Sequence, residues 1–130
     1  MYKKLMYVCE RLFPLINIKM KNSQLYKGSL NTIIMKLLEE KGRMYGYEIT
    51  QKVKEITLGE LNITEGALYP ALHKLEAEGL LDVEVEKVYN RMRKYYKLTE
   101  KGTTETVNRL AELEEFIKNM QNIVNPKLSY

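Results

Sequence analysis

Six basic residues and one acidic residue lie between Lys87 and Lys101. Within that run Asn90, Arg91, Arg93 and Lys94 stand almost side by side. Cations gathered so tightly suit one kind of chemistry, the neutralisation of phosphates on a polyanion. The stretch TEGALYPALHKLE (Thr64–Glu76) carries a second set upstream. Thr64, Glu65 and Gly66 open it, and the N–H groups of a helix start can hold a phosphate. His73 and Lys74 share a flank of the same segment, with Lys74 suited to a phosphate and His73 to a guanine edge. For both sets the bland alternative is a solvated surface.

Other chemistries lack their residues. One His and one Cys leave no Cys/His zinc set, no disulfide within the chain and no Ser/His/Asp or Cys/His nucleophile. No phosphate loop and no dinucleotide fingerprint is present. The expectation is a binding protein, not an enzyme, with no cofactor and no metal.

The elements that must position these residues are legible from Gly28 onward. Leu30, Ile33, Ile34, Leu37 and Leu38 form one apolar stripe of a helix closed by Gly42. Ile49, Val53 and Ile56 predict a second helix, roughly Tyr45 to Thr57, with Gly59 in its exit. Leu68, Leu72 and Leu75, with Ala71, predict a third helix capped by Thr64 and ended by Gly79. Pro70 falls inside it, but the carbonyl it clashes with belongs to Gly66, close to the helix start. The period then changes from helical to two. Leu81, Val83 and Val85 alternate with acidic residues as a strand with one buried face, a polar loop spans Lys87–Arg93, and Lys94–Leu98 returns as a second strand. Thr99 caps a long last helix bearing Val107, Leu110, Leu113, Phe116, Ile117, Met120 and Val124, and Pro126 stops it. The order predicts a mainly α fold with a small β-hairpin, a winged helix-turn-helix.

Composition agrees with a globular chain. Of 130 residues, 45% are apolar and 29% charged, which excludes a wholly disordered protein. The formal charge is +4, with residues 28–86 acidic and the stretch after them basic, the footprint of a nucleic-acid or anionic-surface binder. Residues 1–18 begin like a signal peptide, but Glu10 and Arg11 cut the apolar region short. Met20 opens a more ordinary start, so residues 1–19 read as upstream sequence or a poorly ordered extension. No apolar run is long enough to span a membrane, so no membrane partner is expected, and the single Cys fits a cytoplasmic location.

The local sequences add a resemblance. LYKGSLNTIIMKLLEEKGRMYGYEI (Leu25–Ile49), EGALYPALHKLEAEGLL (Glu65–Leu81) and RMRKYYKLTEKG (Arg91–Gly102) resemble, in order, the motifs of the PadR family of bacterial transcriptional regulators. The likeness covers about residues 25–120, and proline is tolerated at the place of Pro70. Ala67 departs from it, standing where the family usually has Thr. A single last helix looks like the smaller of the family's two subgroups.

This resemblance implies a homodimeric repressor on an inverted repeat of promoter DNA. Its third helix would enter the major groove, presenting Ala67, Tyr69, Pro70, His73 and Lys74. Asn90, Arg91, Arg93 and Lys94 of the wing would touch backbone or minor groove. Spacing places Tyr69 off the core face, while Tyr47 is left to the core, and Tyr95, Tyr96, Leu98 and Gly102 read as structural. The expected organisation is an N-terminal extension (1–24), a winged helix-turn-helix (25–98), a dimerisation helix (99–124) and a tail (125–130). Members often answer to small aromatic or lipophilic effectors near the dimer interface. Multidrug-sensing members stack such ligands on a Trp, which this chain lacks, with Leu113 near its place. Val107, Leu110, Leu113, Phe116, Ile117 and Met120 thus serve either as interface or as effector lining. A winged helix that binds protein instead of DNA is the rival reading.

Overall fold

The computed structural model describes residues 25–126, so the expectations for 1–24 and 127–130 lie outside the described residues. Helix α1 (Leu30–Lys41) leads through β1 (Arg43–Tyr45) into α2 (Gly46–Ile56), then α3 (Glu65–Ala77), β2 (Leu81–Val88), β3 (Arg91–Leu98) and α4 (Glu100–Val124). The sheet is antiparallel with order β1-β3-β2, so β3 is its central strand. This is the mainly helical, winged architecture that the order of periodicities predicts.

Three helices meet over one face of the sheet. Ile34, Met35 and Leu38 of α1, Ile49 and Val53 of α2, and Leu68, Leu72 and Leu75 of α3 are buried together with Met44, Leu81 and Tyr96. Each fully buried aliphatic side chain is worth about 1.5–3 kcal/mol, so this cluster dominates the stability. Ile56 departs from expectation: it lies exposed at the end of α2, beyond the reach of the cluster.

Caps explain where the helices begin and end. The N–H of Ala67 donates to the Thr64 hydroxyl oxygen at 3.2 Å, and that of Gly102 to the Thr99 hydroxyl oxygen at 2.9 Å. Gly42 and Gly79 turn the chain after α1 and α3 with φ of 88° and 80°, a region that costs other residues strain.

Two expectations about the sheet need correction. The segment Arg43–Tyr45 is a third strand, paired Arg43↔Lys97, Met44↔Tyr96 and Tyr45↔Tyr95. Three residues are too few for a period to show. The polar loop Lys87–Arg93 is in fact two strand ends and a two-residue turn, with pairing continuing to Val88↔Arg91. Polar residues hid the strands because the hairpin outruns the core there: Val85 is exposed, so no apolar alternation marks that half.

Where α4 leaves the sheet, the helix presses on the end of α3. The Thr99 hydroxyl donates to the Gly79 carbonyl at 2.7 Å, and Thr106 donates to the carbonyl of Gly102 at 2.7 Å. A Cβ on Gly102 would collide with the Leu80 carbonyl. Gly102→Ala is therefore expected to lower stability by about 2 kcal/mol, although alanine favours helix. Urea unfolding measures it, and an unchanged or higher midpoint would remove this close approach from the account.

Candidate nucleic-acid interface

One side of α3 is fixed and the other is free. Leu68, Leu72 and Leu75 are fully buried, which turns Gly66, Ala67, Pro70, His73 and Lys74 outward into solvent. Thr64 and Glu65 are exposed at the helix start, so this end and one flank are open to a partner. Pro70 is accommodated as expected, since the carbonyl it cannot satisfy belongs to Gly66, the second residue of the helix.

Between α3 and the sheet runs a groove of about 710 Å³ walled by Tyr45, Tyr47, Tyr69 and the stretch Arg91–Lys94. Two tyrosines are placed differently from expectation. Tyr47 is 62% exposed on the rim, not in the core. Its signal was in the sequence, because at 100° per residue it lies about 160° from Ile49 around α2. Tyr69 is half-buried and packs against the core cluster, so it is not simply off-face. Its ring fills the space a side chain would occupy at Gly46: a Cβ there would stand 2.5 Å from the Tyr69 hydroxyl oxygen. The ring of His73 lies 6.4 Å away, further out along the helix.

The sheet face turned away from the core carries a ladder of rings and guanidinium groups. Arg93 stacks 4.0 Å over Tyr45, Tyr45 meets Tyr95 edge-on at 5.5 Å, and Arg43 covers Tyr95 at 4.1 Å. Arg43 then bonds Glu84 at 3.0 Å and Glu86 at 2.7 Å, while Lys97 bonds Glu84 at 2.7 Å. Lys97 first, and then Arg43, hold the Glu84 carboxyl below its usual pKa. Exposed pairs of this kind contribute little stability each, but they fix which cations are already engaged.

Towards the tip the cations are unengaged. Lys87, Arg91 and Lys94 form no ion pair among the described residues. All three are exposed. Along β3 the pleat puts Lys94 on the face of Tyr96 and Arg91 and Arg93 on the opposite one, and all three reach the wall of the groove. Asn90 sits in the turn with φ of 64°, a conformation Asn tolerates.

Comparison with known proteins settles the kind of molecule. The model of the transcriptional regulator PadR-like family matches residues 34–108, which spans α1 to the first turns of α4. This chain belongs to the PadR-like family. A protein of Lysinibacillus sphaericus is 35% identical over 102 residues, covering 75% of this chain and 93% of that one. A transcriptional regulator from Clostridium thermocellum superposes with a TM-score of 0.72 at 31% identity, over 79% of this chain and 97% of that one. A PadR family transcription regulator from Clostridium difficile does so with a TM-score of 0.61 at 31% identity, over 74% and 97%. PadR proteins are transcriptional regulators and not enzymes, and this one shares their winged fold. Among its described residues no helix is long and apolar enough to cross a membrane.

Beyond the PadR match, the second half of α4 is short of partners. Leu110 and Leu113 are half-buried, whereas Phe116, Ile117, Met120, Ile123 and Val124 are exposed. Leu113, Ile117, Met120 and Val124 recur at i, i+4, i+7 and i+11, one stripe of the helix. Val107 is exposed about a quarter turn away from that stripe.

The Gly46–Tyr69 contact sets the seat of α3 against α2, and it is testable by a double-mutant cycle. Gly46→Ala alone should cost about 1–2 kcal/mol by displacing the ring. In a Tyr69→Leu background the same change should cost at least about 1 kcal/mol less. Equal costs in both backgrounds would show that this contact does not position the helix.

Proposed function

We propose that this PadR-like regulator binds double-stranded DNA as a homodimer and represses transcription from an inverted repeat. The observation that carries the reading is the pairing of an outward flank of α3 with unengaged cations on the adjoining wing. Ala67, Pro70, His73 and Lys74 would face the major groove, with His73 on a base edge and Lys74 on a phosphate. Thr64, Glu65 and Gly66 would set a phosphate at the helix start. Tyr69 would reach DNA only with the ring edge that Gly46 leaves free, since its hydroxyl end is seated against Gly46. Asn90, Arg91, Arg93 and Lys94 would act on phosphates or in the minor groove.

The exposed stripe of α4 supports dimerisation, because a surface of contiguous large apolar residues is rarely left in water. Repression, the inverted repeat and a cytoplasmic location are drawn from the family resemblance. So is a small aromatic or lipophilic effector. A hollow of about 290 Å³ between the start of α1 and Leu113 and Phe116 of α4 offers such a molecule an apolar wall near that stripe.

Each phosphate neutralised contributes about −0.9 to the slope of log affinity against log salt. Arg91→Ala with Lys94→Ala, in both subunits of a dimer, should flatten that slope by about 3–4 units. His73→Ala should instead weaken binding to DNA from upstream of the protein's own gene and leave random duplex nearly unaffected. Fluorescence anisotropy with both duplexes across a salt series reads the two effects. Salt-independent or absent duplex binding by the wild type would favour a protein-binding module.

Ile117→Asp tests the dimer. Placing a charge in an apolar seam is strongly unfavourable, yet Ile117 is exposed in the protomer, so its fold should persist. Sedimentation should show folded monomers whose melting temperature no longer depends on protein concentration. A tight dimer in this variant would place the interface elsewhere.

A further inference from the structure

We propose that Tyr89, at the tip of the wing, is a wedge for the minor groove of duplex DNA, held for that contact in a strained backbone conformation. The inference rests on the DNA-binding reading above and adds a residue that reading does not use. The register Val88↔Arg91 leaves only Tyr89 and Asn90 in the turn, and their φ angles are 50° and 64°. A two-residue turn with both φ positive calls for Asn-Gly or Asp-Gly, and Asn90, in the second place, tolerates the left-handed region. Tyr89 does not. A bulky residue in the left-handed region is an outlier, and such strain collects where function requires it.

The hairpin imposes this conformation, and no side-chain contact of Tyr89 adds to it. The Tyr89 side chain is 93% exposed, and it makes no ring contact or hydrogen bond among the described residues. Its surroundings point to the occupant. Met92 is exposed nearby, and Lys87 and Arg91 flank the turn without ion pairs. A ring set among free cations matches the surface of a nucleic acid, where apolar contact and phosphate neutralisation alternate. Lys87 is moreover of a type depleted from protein–protein interfaces. One ring on a two-residue turn is also thin enough for a minor groove about 6 Å wide, with the flanking cations left to straddle it at the phosphates.

The test sets stability against binding in the full chain. Tyr89→Asn relieves the strain, so its melting temperature should rise by a few degrees. Its affinity for a labelled mixed-sequence duplex should fall about tenfold or more, as expected for losing one ring's burial. The salt slope should stay unchanged because no charge is removed. Tyr89→Phe should bind within about twofold of wild type, since the ring and not the hydroxyl makes the contact. A small ligand that fills A·T minor grooves should weaken wild-type binding to an A·T-rich duplex and affect Tyr89→Asn little. The proposal is overturned if Tyr89→Asn binds duplex as tightly as wild type, the outcome a protein partner for the ring would give. It is equally overturned if the variant melts lower, or if the groove ligand leaves wild-type binding intact. Should Arg91→Ala with Lys94→Ala also leave duplex binding and its salt slope unchanged, the DNA reading itself fails and this one with it.

Discussion

Strand β3 is where the fold and the candidate interface are bound to each other. Its lower half is pinned by Tyr96, which is only 1% exposed beneath the helices and paired with Val83 on one side and Met44 on the other. Because side chains alternate along a strand, burying Tyr96 fixes the direction of every residue above it. Lys94 must then stand on the face of Tyr96 and Arg93 on that of Tyr95. A slip of one residue would exchange the two faces and put Tyr95 in the core. The wing is thus a lever whose aim is set at its base, far from the residues that would touch a partner.

The seat of α3 depends on a second contact of the same kind. Gly46 opens α2 without a side chain, and the ring of Tyr69 occupies that space. The first residue of α2 and the fifth of α3 therefore fix the relation between the two helices that a helix-turn-helix must hold constant. The Glu48 carboxylate accepts from the Tyr45 N–H at 3.1 Å, which steadies the same corner from the other side. The TyrGlyTyrGlu sequence at 45–48 is accordingly a structural joint whose second tyrosine, Tyr47, is left on the rim of the groove.

What the sequence disclosed follows from which signals are local. Apolar periods located α1 and α3 because each buries a stripe against a common core, and α4 by a stripe that the protomer leaves exposed. Thr64, Thr99, Gly42 and Gly79 marked helix ends because cap chemistry involves only neighbours in sequence. Strand β1 escaped, since three residues show no period and their partner lies some fifty positions away at Tyr95–Lys97. The upper hairpin escaped for another reason: above Val83 both faces meet water, so alternation carries no hydrophobic contrast. Tyr69 was misjudged because its slot is made by the absence of a side chain on a different helix. No period within α3 can report that.

Charge counts alone would also misplace the active cations. The six basic residues from Lys87 to Lys101 are not equivalent, and their difference runs along the wing. At its base Lys97 bonds Glu84, and Lys101 donates to the Glu78 carbonyl at 3.0 Å. Midway Arg93 lies on the Tyr45 ring. Towards the tip Lys87, Arg91 and Lys94 have no such partner among the described residues. Engagement therefore falls from base to tip as the acidic residues of β2 give way to Lys87 and Val88. A charge already paired gains less from a phosphate than a free one, because it must first lose its partner. Within the wing the attraction for an anion is accordingly strongest at its end and beside α3, although the excess charge in the sequence is spread over fifteen residues.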